Sequence, residues 1–356
     1  MNDSSGSNPN SVMGGLKEVK PRNERVAYVD IIKAIAIVYV ILVHTNFANG
    51  AIKPWLMRIV MCVFFFVSGV FLKGNGDMTP SQGRTFIAKK FQSFMVPYFL
   101  WALIFSKFNF TNLIKIIYGS YQMIGSSGSS RVLWFLPVMF LCFVMYICCR
   151  LVFQNRFSTA AKITMIAITF GIAFLLPKLE RGYPWGINSA FSAFGFLLMG
   201  NLTFPLLQRF HQYGSRSRAG LCVGIVAACI SFAGTQFYRL NLAPVSMATG
   251  KYGNVALFLI VAVSGIIFTA VIAVLIDQLP FLKLKGYISY IGRNTFSIFV
   301  LHLLGVRIAE ILFHRVHMPN WAGLILACVV AIAVSLTGNW VISRFAPVLL
   351  GKSEQR

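Results

Sequence analysis

Residues 28–47 read YVDIIKAIAIVYVILVHTNF, a run long and apolar enough to cross a bilayer that nevertheless carries Asp30, Lys33 and His44. Ionisable side chains inside hydrocarbon are costly, so their presence calls for partners or for a function. Lys33 and His44 lie about three helical turns apart, so at roughly 3.6 residues per turn they project from one face, together with Ile37 and Val40. Some 16 Å of helix axis separates them, too far for direct proton transfer, and the two groups must act at different membrane depths. Histidine exchanges protons near neutrality and suits a general base that deprotonates a hydroxyl; a hydrogen-bonded structural histidine is the alternative. Lys33, with Asp30 on neighbouring helix surface, is either a self-neutralised pair whose ammonium reaches for the interface or an anchor for an anion. A base at one depth and a cation at the other fit a donor arriving from one side and an acceptor from the other.

The elements that position these groups follow from composition. The chain has 356 residues, 57% hydrophobic and 12% charged, with a mean hydropathy of +0.72, well outside the range of soluble domains. Apolar runs of about 20 residues recur, each sufficient for a helix across a hydrocarbon core roughly 30 Å thick. They fall near 28–48, 55–72, 91–107, 132–152, 161–177, 187–207, 219–238, 254–277, 287–306 and 321–342. The expected fold is all-α, a polytopic integral membrane protein of about ten transmembrane helices.

A net charge of +23 would suggest nucleic acid in a soluble protein, but the Lys and Arg residues are spread over many short connections. No nucleic acid is therefore expected; the excess reads as topology and, being greater on the side that holds both termini, makes the termini cytoplasmic. Residues 1–26 are polar, without an apolar signal-peptide core, and read as a disordered cytoplasmic tail. Residues 27–345 form the transmembrane domain, and 346–356 a second cytoplasmic tail.

Other stretches carry chemistry or packing. FFFVSGV at 64–70 closes on Ser68 and Gly69, small residues that let helices approach; the Ser68 hydroxyl is also a candidate substrate contact. Arg84, Lys89 and Lys90 precede a span containing Pro97, where a basic cluster either fixes topology or holds a phosphorylated cosubstrate. Beyond the opposite boundary lie a connection with GSSGSS at 125–130 and the loop KLERGYPWG at 178–186. Trp134 and Trp185, near span ends, suit interfacial anchoring or stacking on a sugar face. His302, followed by Arg307 and Glu310, lines an acceptor side or packs as a satisfied histidine. All seven cysteines fall in apolar runs without metal-site spacing, so buried thiols and no metal are expected. The sequence has no Walker-type phosphate loop, GxSxG elbow or HExxH, which puts any catalysis in the spans.

Taken together, these stretches resemble the acyltransferase-3 family of integral membrane O-acyltransferases. Asp30, Lys33 and His44 are similar to its first span, in which an acidic and a basic residue precede a histidine. Phe64 to Gly69 resembles its aromatic stretch ending in Ser-Gly, and Lys89, Lys90, Pro97 and Tyr98 its basic cluster leading into Val-Pro-Tyr. LWFLPVMF at 133–140, PWGINSAFSAFGFLLMGN at 184–201 and IGRNTFSIFVLH at 291–302 look like later landmarks. The pattern is most similar to the branch that acetylates sugars of exported polysaccharides, including fucose-acetylase-like members. One departure is Lys33, where the family more often has Arg; lysine offers a point charge in place of a bidentate fork.

The resemblance implies a multi-pass protein of the cytoplasmic (inner) membrane, surrounded by lipid, with acetyl-CoA as cosubstrate and no bound cofactor. The acceptor would be a polysaccharide or a lipid-linked oligosaccharide. Asp30, Lys33 and His44 would be catalytic, with Lys33, Arg84, Lys89 and Lys90 at the coenzyme phosphates and Ser68, Trp134, Trp185 and His302 toward the substrate. His44 would deprotonate the sugar hydroxyl or accept the acetyl group itself. The competing class is a proton-coupled transporter or translocase of a saccharide precursor, which intramembrane Asp, Lys and His also suit.

Overall fold

In the computed structural model, residues 26–48, 50–72, 76–214, 218–316 and 319–352 are described; of the expected tails 1–26 and 346–356, residues 1–25 and 353–356 lie outside them. The helices are α1 (Ala27–His44), α2 (Ile52–Met57), α3 (Val60–Val70), α4 (Pro80–Lys90), α5 (Val96–Phe105), α6 (Leu113–Tyr118), α7 (Tyr121–Ile124), α8 (Phe135–Phe153), α9 (Thr159–Leu175), α10 (Ile187–Gly214), α11 (Arg218–Thr235), α12 (Val255–Gln278), α13 (Leu282–Arg293), α14 (Thr295–Val316) and α15 (Asn320–Phe345). Among the described residues there is no strand, and one isolated bridge joins Ser246 to Lys251. The protein is all-α and polytopic, as the composition requires. Among the described residues, eight helical stretches are long and apolar enough to span a membrane, and α9 is a shorter apolar helix. Large apolar side chains such as Leu175, Ile230, Trp321 and Trp340 face outward, the arrangement of a helix bundle whose solvent is lipid.

Two expected spans take a different form. The run at 91–107 is the last part of one continuous rod from Pro80 to Phe105, in which Phe91–Met95 widens into a π turn and Val96 N–H donates to Phe91 O. Pro97 is the cause: it has no N–H to offer the carbonyl of Ser93, and the wider turn shifts the hydrogen-bond pattern around it. The run at 287–306 is not one helix. It breaks at Asn294, between α13 and α14, and the membrane-competent stretch is Thr295–Phe313. Asn294 Nδ2 donates to Tyr290 O (2.8 Å) and its Oδ1 accepts from Asn339 Nδ2 (3.1 Å), while Asn339 Oδ1 accepts from Ser297 Oγ (2.6 Å). This polar chain supports the break. α13 buries Ser289 and Gly292 and leaves Lys283 and Tyr287 exposed, so it is an amphipathic helix laid against α1.

The bundle centres on α1, which packs against α3, α12, α13 and α14, with α10 crossing α3 on the far side. Small residues set these crossings. Gly69 lies on the Leu197 carbonyl of α10, Gly200 of α10 lies reciprocally on the Phe66 carbonyl of α3, and Gly292 lies on the Asp30 backbone of α1. Asn201 Nδ2 then caps the end of α3 at Leu72 O (2.6 Å). Near the C-terminus, Pro347–Leu350 forms a 3-10 turn against α5, where Trp101 Nε1 donates to Leu349 O at 2.9 Å. Cys62, Cys142 and Cys149 are buried as expected, whereas Cys148, Cys222 and Cys229 stand on exposed helix surfaces.

A side chain at Gly69 or Gly200 would collide with backbone, which has no rotamer to escape into. Gly69→Leu and Gly200→Leu are therefore expected to cost about 1–3 kcal/mol or more, read as earlier thermal unfolding of the purified protein in detergent. Gly171→Leu, with open space around the α-carbon, should melt like the wild type; equal melting of all three variants would mean that α3 and α10 do not touch there.

Candidate active site

His44 is the last residue of α1, and its position there decides its chemistry. Nδ1 lies 2.8 Å from Val40 O. A carbonyl only accepts, so Nδ1 carries the hydrogen and Nε2 is left with its lone pair. The ring is packed among protein atoms yet keeps accessible surface, because a cavity of about 320 Å³ opens onto it. This cavity sits at the end of the bundle away from the described chain ends. Val43 and His44 of α1, Met57 of α2, Met61 of α3 and Leu303 of α14 line its helical side; Tyr121, Arg131, Trp134 and 246–248 line its loop side.

His302 completes the histidine pair. It is fully buried, its Nδ1 donates to Phe299 O at 2.7 Å, and its ring meets that of His44 edge to face at 4.8 Å between centroids. Its Nε2 is buried without a hydrogen-bond partner among the described residues. Both imidazoles thus spend Nδ1 on their own helix and present a free Nε2. Glu310 Oε1 accepts from Asn46 N (3.0 Å), tying the end of α1 to α14 and holding the two rings in register.

The loop wall is built from a buried arginine. Arg58 donates from Nη1 to Pro54 O (2.6 Å) and from Nη2 to Asn241 O (2.8 Å), and its guanidinium lies 5.8 Å from the Tyr238 ring centroid. Asn241 in turn donates to Tyr252 O (3.1 Å) and accepts from Asn254 N (3.0 Å). Ser189 Oγ donates to Met247 O at 2.5 Å, and Ser192 pairs with Tyr252 across 2.8 Å. These bonds fix residues 241–254 as a rigid wall that presents Ser246, Met247 and Ala248 to the cavity. Neither this wall nor Arg58 was singled out from the sequence; the signal that could have found it is an arginine set within an apolar helical run.

The other expected site residues divide. Lys33 Nζ pairs with the buried Asp30 at 2.5 Å and lies 5.3 Å from the Phe71 ring centroid, at the opposite end of the α1 face from His44. Trp134 lines the cavity. Arg84 and Lys89 are exposed on α4, while the ammonium of Lys90 sits among the rings of Phe86, Phe94 and Phe143, closest at 4.3 Å. Lys33 and Lys90 are held by separate neighbours, Arg84 and Lys89 stand on exposed surface, and none of the four lines the cavity at His44. Ser68 Oγ donates to Phe64 O in its own helix (2.9 Å), the usual resort of a hydroxyl in an apolar span. Trp185 Nε1 donates to Ile117 O (2.8 Å) and pins the turn before α10 to α6. Neither Ser68 nor Trp185 faces the cavity, because each is committed to backbone elsewhere. Among the described residues no cluster of His, Cys, Asp or Glu could hold a metal ion.

A multi-pass helical bundle with a base-competent histidine opening onto a cavity is the framework of a membrane enzyme. The model of the acyltransferase-3 family, described as an acyltransferase domain, matches residues 26–340. The chain belongs to this family, and the protein is a multi-pass membrane acyltransferase. No curated protein and no solved structure gives a significant match to it.

Arg58→Lys keeps the charge but loses the fork that spans Pro54 and Asn241. At about 1.5–3 kcal/mol for each lost charged hydrogen bond, the loop should loosen. Limited trypsin digestion is expected to cut at Lys251 in this variant and not in the exposed Arg239→Lys control; an uncut loop would show that the wall stands without Arg58.

Proposed function

We propose that the protein is an O-acetyltransferase of the cytoplasmic membrane that moves an acetyl group from cytosolic acetyl-CoA to a sugar hydroxyl of an exported polysaccharide or its lipid-linked repeat unit. The observation that carries this reading is the free Nε2 of His44 at the cavity, with Nδ1 committed to Val40. His44 Nε2 takes the hydroxyl proton as the sugar oxygen forms its bond to the thioester carbonyl carbon. The carbon–sulfur bond then breaks, and the departing thiolate recovers the proton from His44. Each bond made has its counterpart broken, and no resident cofactor is required.

The direction of approach follows from the charges. With both termini in the cytoplasm, the Lys33–Asp30 pair sits at the inner end of the α1 face and Arg84 and Lys89 stand on exposed surface of α4. The coenzyme phosphates are held on this side, principally by Lys33, and the thioester reaches inward along α1. The acceptor enters the outer cavity, where Trp134 offers a sugar-stacking face and His302 backs His44.

Deletion of the gene in the source organism should remove O-acetyl signals from the proton NMR spectrum of the extracellular polysaccharide, and wild type should restore them. His44→Ala, at normal abundance, is expected to lose about 10²–10⁴-fold in rate and to restore nothing, while Lys33→Ala mainly raises the KM for acetyl-CoA. Full activity of His44→Ala would sink the assignment of the base. Unchanged acetylation with less polysaccharide outside would point to translocation.

A further inference from the structure

We infer that the acceptor glycan carries an anionic group, a carboxylate or a phosphate ester, on the acetylated sugar or its neighbour, and that Arg131 binds it. This deepens the acetyl-transfer reading and rests on it. Apart from His44, Arg131 is the only basic side chain among the described residues that line the cavity, and the rest of the helical wall is Val, Met, Phe and Leu. The described carboxylates, Asp30, Asp77, Glu180, Asp277 and Glu310, are all absent from it. A cation facing a largely apolar recess attracts anions more strongly than one in open water.

The guanidinium is also oriented. Nε donates to Gly125 O at 2.9 Å, and the guanidinium carbon lies 5.9 Å from the ring centroid of Tyr121, itself a cavity residue. One of the five N–H groups is thereby spent on the loop. The two terminal nitrogens have neither a hydrogen bond nor a carboxylate partner among the described residues. A planar fork with both prongs free matches a carboxylate or phosphate in bidentate fashion. Lys53 on α2, whose charge acts at His44, adds to the positive field at the same end.

Cavity size limits where the anion can be. At about 320 Å³, the space is at the small end of ligand sites, which run about 300–1,000 Å³. It holds a short portion of a glycan, so the group at Arg131 and the hydroxyl at His44 belong to the same or adjoining sugars. A phosphate several sugars away on a lipid carrier would not reach.

The test uses the full-length protein in lipid nanodiscs with acetyl-CoA, reading release of the coenzyme thiol. Acceptors are de-O-acetylated oligosaccharides cut from the organism's own polysaccharide, native, carboxyl-reduced, or freed of phosphate with hydrogen fluoride. One of the two treatments is expected to lower kcat/KM by about tenfold or more, and which one does so identifies the anion. Arg131→Gln should bring the native and neutralised acceptors to nearly equal rates, and Arg131→Lys should keep part of the difference. A repeat unit with no acidic substituent near the acetylated sugar, or equal rates for all acceptors with the wild type, would overturn the inference while leaving acetyl transfer intact. A role of Arg131 in the loop alone would lower all acceptors in proportion, and that result would overturn it too. Absence of acceptor-dependent thiol release from every pool would instead remove the acetyl-transfer reading on which it stands.

Discussion

A polar group within a hydrocarbon slab has no water to fall back on, and this requirement decides where the polar side chains of the helical body go. The hydroxyls of Ser68, Ser231 and Thr269 turn back to carbonyls one turn earlier, at Phe64, Ala227 and Gly265. Asp30 and Lys33 neutralise each other. His44 and His302 use the same device as the hydroxyls, each donating Nδ1–H to its own helix. For a hydroxyl the local bond ends the matter. For an imidazole it does half the work, since it fixes one tautomer and leaves the second nitrogen unspent. The bond that makes a histidine tolerable in a span is thus the bond that fits it to act as a base.

Both ends of the bundle are then held by polar clasps that apolar packing alone would not specify. At the cavity end Arg58 and Asn241 fold residues 241–254 onto the helix ends. At the opposite end His211 Nε2 meets Asp277 at 2.9 Å, Lys285 Nζ donates to Asp277 O at 2.7 Å, and the Tyr28 ring lies 4.7 Å from that of His211. This second clasp joins α1, α10, α12 and α13. Between the clasps the glycine contacts at Gly69, Gly200 and Gly292 bring backbones close enough that α1 and α3 cannot rotate freely. The face that carries Lys33 and His44 is therefore fixed by groups far from either residue.

How much of this could be read from the sequence depends on whether the cause is local. The helical character, most span positions and the shared face of Lys33 and His44 follow from hydropathy and a 3.6-residue period, and the structure has them. The break at Asn294 is only half local: Gly292-Arg293-Asn294-Thr295 interrupts the run from 287 to 306 in the sequence, but the partner that supports the interruption is Asn339, forty-five residues away. Arg58 could not be read from the sequence as a wall support, since its partner Asn241 comes from a distant loop. Lys90 shows another non-local feature. Its place in a basic cluster suggests phosphate, and the structure sets its ammonium nearest the ring of Phe143 of α8, a neighbour no local pattern reveals. Trp185, grouped with Trp134 by residue type, parts from it for the same reason.

An acyl transfer from a thioester competes with hydrolysis, so the surroundings of the base matter as much as the base. Water held beside Nε2 of His44 would be activated as readily as a sugar hydroxyl. The helical wall of the cavity is made of Val40, Val43, Met61, Phe299 and Leu303, which offer a water molecule few of the two to four polar partners it needs to be held. The polar atoms are on the loop side, at Tyr121, Arg131 and Ser246. In the proposed reaction a glycan brings its own hydroxyl to His44 and satisfies the polar loop side, whereas a lone water satisfies one end at most. The division of the cavity into an apolar floor around the base and a polar rim away from it would then act, in the proposed reaction, as a selectivity device, favouring the larger nucleophile by giving the smaller one few partners to hold.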